Sequence, residues 1–364
     1  VCQTLSAAGT TSSGPDQTSQ ITTALAACAG EGSVVLASSG SNNAFWSTGF
    51  AMSSNQALVI NSGVYLEGNN YSPQFITPTG SNISIMGPGT IDGNSVSKMR
   101  LINTGSITNF TVYNITLQNA GKMNLYVQGG SGFTAWGVTI REGATTKNTD
   151  GVDVDSMTNA TVANSSIEDG DDCVAIKSNA AAVSNVTVEG TRCYGTHGLS
   201  VGSQTFLGVS NILFENNYLY GKDLSGTLSS DDQAIRVKTD PTCGGHVDTV
   251  TYRNTCLTEE RDLIWMDPNY GSCSGTAGTP WFTNIVVSGV YAANSDSGSG
   301  SEFDGYQASQ PMTMWLENIS LDYTEVKGAQ YANIGLYNSN VTPTGTGVTT
   351  FTYSGSGSIP TCAF

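Results

Sequence analysis

Three polar clusters follow one another in the middle of the chain. They read Asn148-Thr149-Asp150-Gly151, Asp169-Gly170-Asp171-Asp172-Cys173 and Gly195-Thr196-His197-Gly198. Carboxyl groups gathered this way suit glycosidic hydrolysis. One must be protonated to donate to the leaving oxygen, and another must be ionised to activate water or to attack. Crowded carboxyls titrate as a coupled set, and mutual repulsion keeps one proton bound above the usual Asp value. Asp171 and Asp172 are sequence neighbours that a regular strand would point apart; Gly170 allows a bend that turns both to one groove. His197 is one of two histidines in the chain, and in this company it is expected to orient a carboxylate. A turn rich in Asp and Gly explains any one cluster equally well; three in register are harder to explain that way.

The register comes from the elements that follow. Each cluster leads into a four-residue run: Val152-Asp153-Val154-Asp155, Val174-Ala175-Ile176-Lys177 and Leu199-Ser200-Val201-Gly202. First and third places are apolar, so one face of each run is buried and the other is free. Asp150, Asp172 and His197 each stand five residues before the end of their run. On strands stacked about 4.8 Å apart they line one surface. The frame also fits Leu125-Tyr126-Val127-Gln128, Ile235-Arg236-Val237-Lys238 and Ile264-Trp265-Met266-Asp267. It puts Arg236 and Lys238 together on the outward face, with Tyr270 just beyond the last run.

A second motif, headed by Asn82, Asn109, Gly132, Asn159, Asn185, Asn211, Thr249, Asn284 and Asn318, recurs at spacings of 27, 23, 27, 26, 26, 38, 35 and 34 residues. Strand-type content at this period predicts a parallel β-solenoid, in which only stacking buries the apolar face of each coil. Four-stranded propeller blades need about 40–45 residues. The Asn side chains are expected to cap turns and bond along the stack, and the longer spacings imply insertions at turns. One solenoid domain spans 1–364 in this reading. Residues 1–30 form a cap with a helix over Ile21 to Ala27, stapled by Cys2 and Cys28, and residues 342–364 form a tail laid on the body.

The chain has 364 residues, of which 12% are charged, and a net charge of −16. That acidity opposes nucleic-acid binding, and no apolar run approaches the roughly 18 residues of a membrane span. On an acidic protein, the Arg236/Lys238 pair argues for an anionic ligand, with a surface ion pair as the plain alternative. Loss of Lys238 is then expected to raise KM chiefly and loss of Arg236 to affect both kcat and KM, with salt screening the effect. The eight cysteines point to disulfides and an oxidising compartment, so the protein is read as secreted and monomeric, with Val1 as a mature or trimmed start. Of the sequons at Asn70, Asn82, Asn109, Asn114, Asn159, Asn164, Asn185, Asn318 and Asn340, most coincide with the repeat. No Cys/His metal spacing occurs, and no cofactor is expected; Ca²⁺ held by the Asp cluster is the chemical alternative.

In Asn148-Thr149-Asp150, Gly170-Asp171-Asp172-Cys173, Thr196-His197-Gly198 and Arg236-Val237-Lys238, the chain resembles the polygalacturonases of glycoside hydrolase family 28. Thr196 and Val237 depart from the family's glycine and isoleucine. The resemblance covers roughly Gly30 to Val341 and implies an all-β, right-handed parallel β-helix. It implies inverting hydrolysis of α-1,4-linked galacturonan, a pectic polysaccharide, by a pectin-degrading enzyme. Asp171 would be the general acid, with Asp150 and Asp172 activating water and His197 supporting the acid. Arg236 and Lys238 would hold substrate carboxylates, Tyr270 would border the cleaved bond, and Cys173 and Cys193 would be bridged beside the site. The remaining pairs are expected to be Cys243–Cys256 and Cys273–Cys362. The inserted residues before Arg236 keep xylose-substituted galacturonan open as the substrate. A calcium-dependent, pectate-lyase-like β-eliminating enzyme and a non-catalytic sugar-binding β-helix are the rival readings.

Overall fold

A computed structural model describes residues 1–69, 73–242, 244–271 and 278–363. Three parallel ladders run along the molecule, and successive coils of its body contribute to all three, which makes the fold a parallel β-helix. The ladder that matters for function includes Leu125–Trp136, Val152–Ala163, Val174–Ser178, Leu199–Thr205, Gln233–Lys238, Asp262–Asp267 and Gly300–Asp304.

The two-residue alternation sets its register. Val127, Val154, Ile176, Val201, Val237, Met266 and Phe303 stack on one another across successive strands, all fully buried. Each such side chain contributes about 1.5–3 kcal/mol on burial. A one-residue slip would turn the whole column outward, so the core column also fixes the order of the outward residues between its members.

Two corners of most coils are turned by residues in the left-handed region. At one corner stand Asn82, Asn109, Gly132, Asn159, Asn185 and Asn211, with φ between 55° and 78°. Their amides bond along the stack: Asn185 Nδ2 donates to Asn159 Oδ1 at 3.2 Å, and Asn109 Nδ2 to Asn82 Oδ1 at 3.2 Å. Asn tolerates this conformation because its short polar side chain bonds locally. Asn318 does not belong to that row, contrary to the sequence reading. Ile285 pairs with Met314, so the row continues at Thr313. Asn318 stands at the second corner, with Asn338 Nδ2 donating to its Oδ1. Seven of the sequon asparagines, Asn82, Asn109, Asn114, Asn159, Asn164, Asn185 and Asn318, therefore serve as corners with positive φ; Asn70 lies outside the described residues.

The open end of the first coil is covered by the helix Thr18–Ala27, which buries Ile21, Ala24 and Leu25 and is tied down by Cys2–Cys28. Cys173–Cys193 is also formed. The other expected pairs are not: Cys256 is bridged to Cys362 over 106 residues, which excludes both Cys243–Cys256 and Cys273–Cys362. The C-terminal tail crosses back over the body after adding a strand, Thr346–Thr352, to the stack, and this places Cys362 beside the middle coils. Cys243 and Cys273 lie outside the described residues.

Candidate active site

Val152, Val174, Leu199 and Ile235 are register partners on four successive strands. The turns that enter those strands stack in the same way: Gly151 N donates to Asp172 O and Cys173 N to Gly198 O, each at 3.0 Å. Asp150, Asp172 and His197 therefore sit one above another, as their spacing predicts. The turn before Val174 is held by close packing. A Cβ on Gly170 would lie 2.3 Å from Thr146 O and 2.8 Å from Gly143 O. Gly170→Ala must displace the turn that carries Asp171 and Asp172. It is expected to cost about 1–3 kcal/mol of stability and to lower kcat at temperatures where the variant stays folded. Unfolding curves and kinetics on one preparation check both effects.

The carboxylates occupy different settings. Asp171 is half-buried and borders an open cavity of about 460 Å³, walled by Thr145, Lys147 and Asn148 on one side and Ser230 and Asp231 on the other. His197 Nδ1 lies 3.3 Å from Asp171 Oδ1 and 3.9 Å from Asp231 Oδ2. Burial alone would raise the Asp171 pKa, but the His197 hydrogen bond brings it below the ordinary value. The same contact lifts the imidazole above its ordinary value in spite of burial. Asp172 is buried: Lys238 Nζ lies 2.8 Å from its Oδ2, Ser200 Oγ donates to its Oδ1 at 2.7 Å, and Arg236 Nη1 is 3.7 Å away. Burial opposes its charge, and these cations hold it ionised far below the carboxylate range. Asp150 is buried on Lys177, whose Nζ lies 3.0 Å from Oδ2 and also contacts Asp153. Burial raises Asp150, with Lys177 opposing.

Arg236 and Lys238 share the outward face of their strand, as the alternation requires, but neither is on the surface. Arg236 is fully buried and Lys238 nearly so. The Tyr270 ring covers both, 4.8 Å from the guanidinium carbon and 4.9 Å from the ammonium. The Lys238 ammonium is committed to Asp172. Arg236 retains Nε and Nη1 without a hydrogen-bond acceptor among the described residues.

Asp171, Asp172 and His197 present ligand atoms within 4.8 Å of one another, a spacing that a cation could use. Two protein cations already stand beside Asp172, so the negative charge that would attract a metal is largely balanced.

The family-model comparison matches Glycosyl hydrolases family 28 over residues 67–342. The chain belongs to glycoside hydrolase family 28. An endo-polygalacturonase of Pectobacterium carotovorum subsp. carotovorum is 30% identical over 351 residues, 84% of each chain. A polygalacturonase of Ralstonia nicotianae is 32% identical over 259 residues, which cover 62% of this chain but 48% of that relative's length. Thus the chain spans about half the length of the first curated relatives that it matches. Among solved structures, the polygalacturonase from Erwinia carotovora ssp. carotovora superposes with a TM-score of 0.80 at 28% identity, covering 92% of this chain and 96% of its own. An endo-xylogalacturonan hydrolase from Aspergillus tubingensis shares the fold at a TM-score of 0.62 and 18% identity, covering 97% of this chain and all of its own (100%).

Four site-lining residues escaped the sequence reading as site members. Asp153, Lys177 and Ser200 occupy outward places in the quoted runs, where the frame alone could have flagged them. Asp231 comes from the inserted turn before Gln233 and carries no periodic signal. Its Oδ2 lies 3.5 Å from Arg236 Nη2.

Proposed function

We propose that this family 28 chain hydrolyses α-1,4-galacturonosyl linkages within a galacturonan backbone, with inversion at the anomeric carbon and outside the cell. The observation that carries this reading is the division of labour among three carboxyls. Asp171 alone stands at the cavity beside a histidine, while Asp150 and Asp172 are each held by a buried lysine. Asp171 donates a proton to the leaving glycosidic oxygen, and the His197 imidazolium beside it is the reservoir for that proton. A bound galacturonate brings its own negative charge into the cavity, which favours the protonated form of Asp171. Asp150 and Asp172 take a proton from the water that attacks the anomeric carbon. Tyr270 borders the reacting sugar, and Arg236, whose Nε and Nη1 have no acceptor among the described residues, is assigned to a substrate carboxylate. Lys238 serves mainly to hold Asp172 ionised, a change from the expected direct grip on substrate.

Unsubstituted galacturonan is the substrate favoured over the xylose-substituted polymer. The relatives of about 30% identity are polygalacturonases, whereas the xylogalacturonan hydrolase shares the fold alone. The disulfides fit an oxidising compartment. The test is digestion of polygalacturonate and xylogalacturonan in parallel. New reducing ends are expected from polygalacturonate, with internal cuts giving mid-sized fragments early and with no effect of a chelator. Ultraviolet-absorbing unsaturated products that vanish with chelator would replace hydrolysis by elimination, and tight binding without new ends would make the chain a sugar-binding module.

A further inference from the structure

Lys177 is a buried site cation that two carboxylates share. It stands opposite Asp155 on the neighbouring strand, yet its ammonium turns to Asp150 Oδ2 at 3.0 Å and to Asp153. All three side chains are almost wholly shielded from solvent. Asp153 has no other donor: neither of its oxygens accepts a further hydrogen bond among the described residues. Asp172, by contrast, is held by Lys238 and Ser200 and lies near Arg236, which also reaches Asp231. A buried ammonium divided between two carboxylates leaves one negative charge uncompensated, so one proton or one strong interaction must be apportioned between Asp150 and Asp153.

We propose that Lys177 is a positioning residue that keeps Asp150 ionised for water activation, and that Asp153 tunes Asp150 by competing for the same ammonium. This rests on the assignment of Asp150 as a base. The surrounding groups are mostly committed elsewhere. Asp155 takes the Tyr126 hydroxyl, Asp171 is paired with His197, and Asp172 with Lys238 and Arg236. Asp169 accepts the Asp171 backbone N–H. Its carboxyl is driven well above the ordinary range by burial. Asp153 is likewise driven well above the ordinary range, by burial first and then by the Asp150 charge. The ammonium contacts both carboxyls, so Asp153 competes directly with Asp150 for it.

The two partners should move the pH profile in opposite directions, which a purely structural role would not do. Asp150 acts ionised, so activity is lost as pH falls through its pKa. Lys177→Met removes the counter-charge and raises that pKa. The acidic limb of the kcat profile is expected to move to higher pH by about one unit or more, the scale of an adjacent opposite charge. Asp153→Asn removes the competitor and moves the limb to lower pH. Lys177→Arg restores the wild-type position of the limb. If Lys177→Met does not fold, Asp153→Asn and the double variant Lys177→Met/Asp153→Asn, which buries no unpaired charge at position 153, decide the matter. Unchanged limbs, or shifts of the same sign, would overturn the inference. Asp150→Asn is measured alongside: near-normal kcat in that variant would overturn the base assignment itself, whereas an inactive Asp150→Asn with unmoved limbs in the others overturns only the role of Lys177 and Asp153.

Discussion

Asp171→Asn is expected to reduce kcat on polygalacturonate by roughly 10²–10⁴-fold, the contribution of a positioned general acid, with little change in KM. The amide keeps the size of the side chain and can still meet His197, but it cannot deliver the proton. Asp171 is half-buried at the cavity, pairs with the imidazole and accepts the backbone N–H groups of Asn148 and Asp172, so the variant is expected to lose a little stability, which its unfolding curve separates from the loss of kcat. The pH dependence follows from the same pair. The acid must be protonated to act, so activity should decline as pH rises through the pKa of the Asp171/His197 unit in the enzyme–substrate complex, and wild-type kcat should peak in the acidic range. Steady-state kinetics across pH, with unfolding measured on the same preparations, checks both. A variant that retains near-normal kcat would remove Asp171 from the mechanism.

Lys238→Met is the second large effect. The outward position of Lys238 suggested an exposed grip on substrate, felt in KM and weakened by salt. Its burial and its 2.8 Å contact with Asp172 Oδ2 change the expectation. Removing one member of a buried ion pair costs about 3–5 kcal/mol, because the other charge is left behind. Asp172 would then take up a proton and cease to serve as base. Both stability and kcat should fall, and the loss should persist at high ionic strength, since buried pairs are poorly screened. Lys238→Met/Asp172→Asn should recover much of the stability and none of the kcat. If Lys238→Met raises KM alone, and salt abolishes the difference, the lysine acts on substrate instead.

The alternation in the four-residue runs carried most of what was legible in the sequence. A two-residue period states which side chains are buried, and a constant distance from each run back to its turn states which turn residues stack. Asp150, Asp172 and His197 follow from those two facts. The frame gives the direction of a side chain, however, and not what lies over it. Arg236 and Lys238 point outward as expected, but Tyr270 and the turn carrying Asp231 cover them. Both corners of most coils carry a left-handed residue, and Asn satisfies either, so sequence alone assigned Asn318 to the wrong one. The Cys256–Cys362 bridge depends on the path by which the tail recrosses the coils, which has no local signature.

The central claim is that water, activated on one side by Asp150 and Asp172, displaces a leaving group protonated by Asp171. Proton NMR of the first products released from polygalacturonate, recorded before mutarotation, tests it most directly. Single displacement at an α-linkage predicts the β-anomer at the new reducing end. Initial release of the α-anomer, or of an unsaturated sugar, would contradict it.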